Sequence, residues 1–547
     1  MPKNNEVKYV DNSVDMWKYF NLPNPGLKSY FGLVRDGQTE VFTGTFDGVN
    51  KDTTFPALKK HVDRLLKEWD RELVQVKDRW PTLYKFENDL RAKVGPMSHR
   101  FAYRYQVPNI LAYYEGILLP SKPVSQSAIA AVVGEWSKVR GLHIRGQERT
   151  VELMRKSTSS GNPYFVKRRL VVDKTVPLEI VHRDKATGMV MPDNYWLAAA
   201  VLGWRGQEGG PKYDDTKQRQ VWMFPFGVNV CELQVYQPLI EAAQNFNLVP
   251  AWVSMEAVDA AVTKLFDTKR SSDLIVCTDF EAFDQHINEH LQQCAGTIIA
   301  AMLNGSREAV NWLEHVFPVK YDIPLFTGNG TMWQGSHGMA SGSGGTNADE
   351  TLLHRALQYE AAQSVGARLN PNSQCLGDDG ILSYPGITVE DVTRAYTQHG
   401  LEMNLGKQYA SAQDCTYLRR WHHTDYRKDG VCVGVYSTFR ALGRLVYQER
   451  YYDADEWGPK MVALRQLSII ENVKHHPLCE QFAEFCMKRD RFRLGLDIPG
   501  FLDNIEAEAK KAIDHMPDFL GYTKSMQKSS QSGISEWWIV KYLKSKA

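Results

Sequence analysis

The chain has no charge imbalance to read: 65 Lys and Arg stand against 64 Asp and Glu over 547 residues, a net charge of +1. Net charge therefore neither supports nor excludes a polyanionic partner, and only local charge can decide that. Long apolar runs are missing too. The most hydrophobic stretch, Tyr195 to Trp204, is ten residues long, too short to span a bilayer. No signal peptide is visible at Met1, so no membrane partner is expected. None of the eight cysteines (Cys231, Cys277, Cys294, Cys375, Cys415, Cys432, Cys479 and Cys486) forms a C-x-x-C pair. They read as reduced core thiols of an intracellular protein. His475, His476, Cys479 and Cys486 match no zinc spacing and read instead as a helical core face. No internal repeat or long low-complexity tract is present. What remains, with 43% hydrophobic and 24% charged residues, is a globular chain too long for one core, so several subdomains are expected.

The stretch that stands out is Gln374-Cys375-Leu376-Gly377-Asp378-Asp379-Gly380-Ile381-Leu382. Apolar residues run up to and away from two adjacent acids framed by glycines. This predicts a strand, a tight turn at Gly377 and a return strand from Gly380. Glycine tolerates the backbone angles of such a turn, and the turn lifts Asp378 out of the strand on a rigid tip. Crowded carboxylates repel unless a cation sits against them, and hard oxygens at that density suit Mg²⁺. An ordinary acidic hairpin has the same pattern, so the reading depends on the rest of the chain.

Residues from Met1 to about Asp52 predict an extended arm laid over something else. Leu58, Val62, Leu65, Leu66, Trp69, Leu73 and Val76 recur at helical spacing and predict a helix packed by one face. Ser157-Thr158-Ser159-Ser160-Gly161-Asn162-Pro163-Tyr164 can bring backbone N–H groups and an aromatic face to a nucleic-acid strand, with Lys167-Arg168-Arg169 directly behind. A plain loop with a basic strand is the alternative. In Lys217-Gln218-Arg219-Gln220-Val221-Trp222, strand alternation puts Lys217 and Arg219 on one side. Such a pair can grip a triphosphate or simply face solvent.

Leu274 to Asp279 is a buried-strand run ending in an acid, and Asp284 follows five residues on. A strand end fixes such an acid while the loop exposes it to a metal. Gly335 to Gly345 contains five glycines ahead of a helical face formed by Leu352, Leu353, Ala356 and Leu357. That loop can approach phosphate or ribose closely or equally serve as a flexible hinge, and without the lysine of a P-loop it is not one. After the acidic hairpin come Gly400 to Lys407 and Tyr417-Leu418-Arg419-Arg420. From Leu442 the pattern is helical. A Ser/Lys-rich linker, Gly521 to Gly533, then leads to an aromatic segment, Trp537 to Leu543, that needs a groove to dock in.

Taken in order, these motifs resemble those of the viral RNA-dependent RNA polymerases, and their wording looks most like that of the picobirnavirus branch. They cover residues 157 to 420. The resemblance implies an α+β fold: a closed right hand with fingers, a palm built on a small antiparallel sheet flanked by helices, and a helical thumb. It implies an N-terminal arm bridging fingers and thumb (1–60), fingers (61–230), a first palm part (231–290), a fingers insertion (291–335) and a second palm part (336–440). The thumb (441–547) would end in a plug near the catalytic cavity.

By the same resemblance Asp279 and Asp378, with Asp379 supporting, hold a pair of Mg²⁺ or Mn²⁺ ions. Two metals about 4 Å apart activate a primer 3′-hydroxyl and neutralise the leaving pyrophosphate. Asp284, Ser341 and Asn347 would read the ribose hydroxyls, with Thr346 completing the S-G-x-x-x-T pattern of that nucleotide-binding loop. Lys217 and Arg219 match the triphosphate-gripping strand. Lys407 matches the lysine that protonates pyrophosphate, although it sits one residue closer to its preceding Gly-Leu than in some relatives. Ser157, Thr158, Ser159 and Gly161 match the template-entrance loop, and Arg419 and Arg420 the hairpin that supports the primer strand. Where the family usually has a later asparagine this chain has Glu350, and Asn347 lies three residues earlier, so which of them approaches the ribose stays open.

The implied activity is template-directed RNA synthesis from NTPs, in transcription and replication of a viral, double-stranded RNA genome. The implied partners are a single-stranded RNA template, the nascent RNA or duplex product, NTPs and viral capsid protein, in the virion interior and the host-cell cytoplasm. A two-metal nuclease needs neither the ribose-reading loop nor the triphosphate strand. An RNA-binding protein with a decayed site leaves Asp279, Asp284, Asp378 and Asp379 unexplained. A reverse transcriptase is disfavoured by Asp284 and by the glycine before the acidic pair.

Overall fold

The computed structural model describes residues 8–11, 54–97, 103–183, 186–328, 331–449, 458–515 and 533–547. Most of the expected arm (1–60) and of the Ser/Lys linker lies outside the described residues. In chain order the elements that matter here are β1 (Lys8–Asp11), α1 (Phe55–Leu73), α2 (Pro81–Arg91), β2 (Ala200–Gln207), β3 (Lys217–Met223) and α3 (Phe226–Asn245). They continue as β4 (Ile275–Thr278), α4 (Glu289–Met302), β5 (Leu325–Gly328), β6 (Thr331–Gln334), α5 (Thr346–Ser364), β7 (Gln374–Leu376) and β8 (Asp379–Leu382). Then follow β9 (Tyr409–Ser411), β10 (Asp414–Tyr417), β11 (Arg420–His423), α6 (Thr438–Val446), α7 (Pro459–Glu471), α8 (Cys479–Arg489), α9 (Ile505–His515) and α10 (Trp538–Lys544).

Two sheets frame the molecule. One has the order β1-β6-β5-β2-β3, with β2 and β5 parallel and the other pairs antiparallel. The other is antiparallel throughout, in the order β7-β8-β4-β9. This is the small palm sheet, and α4 and α5 pack together beside it. Within the expected insertion at 291–335, β5 and β6 pair in the sheet that holds β2 and β3, and the apolar face of α4 packs against α5 and the helix Gln126–Glu135.

The spacing at Leu58 to Leu73 does form a helix. The Thr54 hydroxyl accepts the Ala57 N–H at 3.4 Å, a proline follows in the first turn, and Leu58, Val62, Leu65, Leu66, Trp69 and Leu73 are all buried. Their partners differ from expectation. α1 and α2 share one apolar cluster with α6 to α10, so the fingers do not begin at residue 61; residues 58–97 pack with the thumb. Trp69 is the pin. Its indole N–H donates to Thr438 Oγ1 at 2.7 Å, and its ring meets Phe482 and Phe485 edge-on with centroids 5.1 and 5.3 Å apart.

The groove that the Trp537–Leu543 segment requires is supplied by the thumb as well. Ile539, Val540 and Leu543 of α10 are buried in the same cluster, and the Trp538 and Ile539 amides donate to the Glu471 carboxylate at 3.2 and 2.9 Å. None of these contacts reaches a residue of the candidate site, so they lend the expected plug no support. All eight cysteines are free, and seven are buried. Among the described residues no helix is long and apolar enough to cross a membrane.

Candidate active site

The antiparallel register of the palm sheet gathers acids that lie a hundred residues apart. Gly380 of β8 stands opposite Thr278 of β4. One step further along that register Asp379 faces Asp279, and Asp378 caps the turn. Gly377 takes φ +58° there, a left-handed angle that costs a side-chain-bearing residue. The turn is held from below by one face of α5. The Thr351 hydroxyl accepts the Gly377 N–H at 3.0 Å, and His354 Nδ1 donates to the Gly377 carbonyl at 2.8 Å. One turn on, Gln358 Nε2 donates to the Gln374 and Ile381 carbonyls at 2.9 and 3.3 Å. Burial lowers the His354 pKa to about 4, which keeps the ring neutral, as a single Nδ1–H donor requires.

Solvent reaches Asp279 and Asp378, yet the protein around them is close enough to raise both pKa values. For Asp279 the cause is dehydration, with Glu281 adding to it and Lys407, Lys93 and Lys217 opposing. For Asp378 it is dehydration followed by the charges of Asp284 and Asp279, with Arg219 opposing. Asp379 is pushed up to about 7 by burial and by Asp378. One of its oxygens accepts the Leu418 N–H at 2.8 Å, which turns it toward the β10–β11 hairpin. Dehydrated carboxylates that repel one another are what a hard divalent cation relieves, and the donor set is all oxygen. Among the described residues no three His, Cys, Asp or Glu side chains gather closely enough to hold a metal. Mg²⁺ typically takes one or two carboxylates and completes its shell with water and substrate phosphates, so the residues present fit such an ion.

Beside the acids, Lys217 and Arg219 lie exposed on one edge of β3, as alternation predicts. Arg219 Nη2 stands 3.6 Å from Asp284 Oδ2. Burial works against the Arg219 charge, but Asp284 and Asp378 raise its pKa. Asp284 is buried in the Phe283–His286 turn, and its carbonyl accepts the Met339 N–H at 2.8 Å. Of the two candidates left open by sequence, Glu350 is the one that shares a hydrogen bond with Asp284. Burial and that neighbour hold its pKa well above the usual carboxylate range. Asn347 instead accepts the Trp252 indole N–H at 2.8 Å.

The glycine-rich loop is laid directly on β3. A Cβ at Gly342 would fall 1.7 Å from the Trp222 carbonyl oxygen. Ser341 Oγ accepts the Trp222 N–H and donates to the Gln220 carbonyl, both at 3.4 Å. Thr346, expected to bind nucleotide, turns its hydroxyl back onto the Ala340, Ser341 and Ser343 carbonyls at 3.3, 3.3 and 3.2 Å. Those bonds brace the loop from within. The loop's anchor was not foreseen. Glu232 of α3, fully buried, accepts the Ser343 hydroxyl and the Gly344 N–H (3.1 Å), and Asn229 one turn earlier donates to the Gly342 carbonyl at 3.3 Å. Beneath them Lys320 and Asp349, also fully buried, pair at 3.0 Å, with the Tyr236 and Tyr321 hydroxyls on Asp349 at 2.6 and 2.7 Å. In sequence Asp349 reads as part of a polar helix opening; only the packing of three separate segments buries it.

The remaining expected contacts divide. Ser157 and Ser159 are at least partly open to solvent; Ser157 Oγ accepts from Arg155 and Ser159 Oγ from the Gly161 N–H, each at 3.2 Å. The Thr158 hydroxyl is buried. Gly161 is buried against β3's exit, where a Cβ would lie 2.6 Å from the Phe224 carbonyl oxygen, so it acts on the loop's shape. Arg419 is exposed at the left-handed turn of the β10–β11 hairpin. Arg420 cannot support RNA: it is buried, with Nη1 and Nη2 on the Asp259 carboxylate at 2.9 and 3.0 Å and Nη2 also on the Gly434 carbonyl at 3.2 Å. Lys407 is exposed and paired with Glu281 at 2.7 Å, which raises its pKa. The next residue, Gln408, bonds both backbone polar groups of Asp279 and was also missed.

A palm sheet that presents paired acids beside a basic strand, a buried acid pair and a glycine-rich loop defines a template-directed nucleotidyltransferase of the right-hand class, and this chain belongs to the viral RNA-dependent RNA polymerases. The family described as viral RNA-dependent RNA polymerase matches residues 143–431. Over 540 residues, 97% of this chain and 99% of the relative, the sequence is 57% identical to a potential RNA-dependent RNA polymerase of Human picobirnavirus (strain Human/Thailand/Hy005102/-). Two solved structures agree. The RNA-dependent RNA polymerase of a human picobirnavirus superposes with a TM-score of 0.90 at 57% identity, and an insertion-loop deletion mutant of such a polymerase with 0.88 at 55%. Each comparison covers 97% of this chain and 98% of the other. The enzyme makes RNA on an RNA template from NTPs, with divalent metal ions as is general in the family.

Proposed function

We propose that Asp279 and Asp378 are the carboxylates that hold two Mg²⁺ or Mn²⁺ ions, with Asp379 supporting them from the hairpin side. The observation that carries this reading is the β4–β8 register, which sets Asp279 opposite the Gly377–Asp378–Asp379 turn. Two ions bound there would activate the 3′-hydroxyl and offset the charge of the departing pyrophosphate.

The protein's own groups do the rest by positioning and electrostatics. Lys217 and Arg219 receive the triphosphate. Arg219, 3.6 Å from Asp284, binds the phosphates, and Asp284 accepts from the ribose 2′-hydroxyl. Glu350 backs Asp284 there. Lys407, kept protonated by Glu281, delivers a proton to pyrophosphate as the bond between the α-phosphorus and the bridging oxygen breaks. Ser157, Ser159 and Arg419 line the RNA path. The template is single-stranded RNA and the genome double-stranded; the enzyme works in the virion interior, beside capsid protein, and in the host-cell cytoplasm. The family likeness supports these last points.

The test is incorporation of labelled nucleotides on a short single-stranded RNA with Mg²⁺ or Mn²⁺. Template-length product from wild type and none from Asp279→Ala or Asp378→Ala is expected. Equal product from either variant would remove that residue from the metal site.

A further inference from the structure

The strand that returns alongside β4 is interrupted where it passes Asp279. Met403 pairs with Phe280 and Tyr409 with Cys277, so residues 404–408 cover a gap that Thr278 and Asp279 cross on the other side. The excess bulges out as the Leu405–Lys407 turn. A bulge leaves its partner strand short of ladder hydrogen bonds, and here the residue left short is Asp279. Gln408 supplies them from its side chain. Its Oε1 accepts the Asp279 N–H at 2.7 Å, and its Nε2 donates to the Asp279 carbonyl at 2.7 Å. The same Nε2 donates to the Asn404 carbonyl at 2.9 Å and so ties the bulge to its own start. One primary amide stands in for backbone pairing at a single residue.

We propose that Gln408 is a positioning residue of the metal site, fixing the main chain of Asp279 and thereby the direction of its carboxylate. The inference rests on the reading of Asp279 as a metal ligand. An amide is the group the position requires, because it offers an acceptor and a donor together. Glutamate keeps the acceptor alone, lysine the donor alone, and methionine neither. The bulge also carries Lys407, whose charge acts on Asp279, so the sheet loses regular pairing at the acid that most needs to be rigid. Gln408 restores that rigidity without restoring the strand.

The experiment compares wild type, Gln408→Met, Gln408→Glu and Asp279→Asn. It measures Mn²⁺ binding by electron paramagnetic resonance without nucleotide, kcat and KM for NTP, and Tm in chelator. Outer groups that orient ligands typically contribute 10–100-fold to metal affinity or activity. Gln408→Met is therefore expected to weaken Mn²⁺ binding by about tenfold or more and to lower kcat alike. KM should stay within about twofold and Tm within about 2 °C. Gln408→Glu, with the Asp279 N–H bond intact, should fall between. If Gln408→Met does not fold, Gln408→Glu and Gln408→Lys, each keeping one of the two bonds, make the same comparison. Unchanged Mn²⁺ binding and kcat in variants that have lost the bonds would overturn the proposal. So would a large fall in Tm that accounts for both losses, since Gln408 would then only tie down the bulge. Unchanged Mn²⁺ binding in Asp279→Asn would refute the ligand reading itself, whatever Gln408 does.

Discussion

Arg420 and Asp259 form a buried, two-pronged ion pair, at 2.9 and 3.0 Å, that ties β11 to the helix Met255–Thr268. The Arg420 charge lowers the Asp259 pKa despite burial. Removing one partner of such a pair leaves the other charge buried and alone, which costs about 3–5 kcal/mol. Arg420→Ala is expected to destabilise the protein by that order in denaturant titration, and Arg419→Ala by less than about 1 kcal/mol. If Arg420→Ala instead kept its stability and lost RNA affinity, the structural role would be wrong.

Trp69 joins α1 to the thumb through Thr438, Phe482 and Phe485. Trp69→Ala removes a fully buried indole and its bond to the Thr438 hydroxyl, which keeps Glu87 as its own acceptor, a loss of about 3–5 kcal/mol. Calorimetry should show the loss, and proteolysis should first open residues 55–97 and the thumb together. Early cleavage in the fingers sheet would argue against the shared core.

Asp284 is the acid proposed to read the 2′-hydroxyl. A hydrogen bond to a charged group contributes about 1.5–3 kcal/mol, so Asp284→Ala should reduce the preference for ribo- over 2′-deoxyribonucleotides by about 10–100-fold. Steady-state kcat/KM for the paired substrates measures it. Unaltered preference would leave the discrimination to other groups.

His422 is buried, donates Nδ1–H to the Cys432 carbonyl at 3.0 Å, and has its pKa lowered by burial to about 4 against an ordinary value of 6.5. Below pH 6.5 the unfolded chain binds a proton that the folded chain refuses. The stabilisation is therefore complete above pH 6.5 and is lost as pH falls toward 4, at about 1.4 kcal/mol per unit. Asp379, raised to about 7, works in the opposite sense between its ordinary value and pH 7. The quantity to measure is thus the difference in unfolding free energy between wild type and His422→Asn at pH 7.5 and 5.5. That difference should shrink by about 1 kcal/mol at the lower pH; a constant difference would show that His422 titrates normally.

Much of this was legible in the residues themselves, because local chemistry decided it. Alternation placed Lys217 and Arg219 on one edge, helical spacing gave the buried face of α1, and glycine at position 377 admitted the turn that raises Asp378. These features depend on neighbours a few positions away, and so does the order of motifs that marks the family.

The tertiary structure decided what each polar group does once packed. Arg420 and Arg419 are adjacent and alike in sequence, yet one is sealed against Asp259 and the other is exposed. Thr346 faces its own loop, Glu350 rather than Asn347 stands with Asp284, and α1 belongs to the thumb. Glu232, Lys320 and Asp349 meet from three segments, and Gln408 finds Asp279 across 129 positions. A polar side chain's role is set by the partner that compensates its desolvation, and when that partner is far along the chain no periodicity records it.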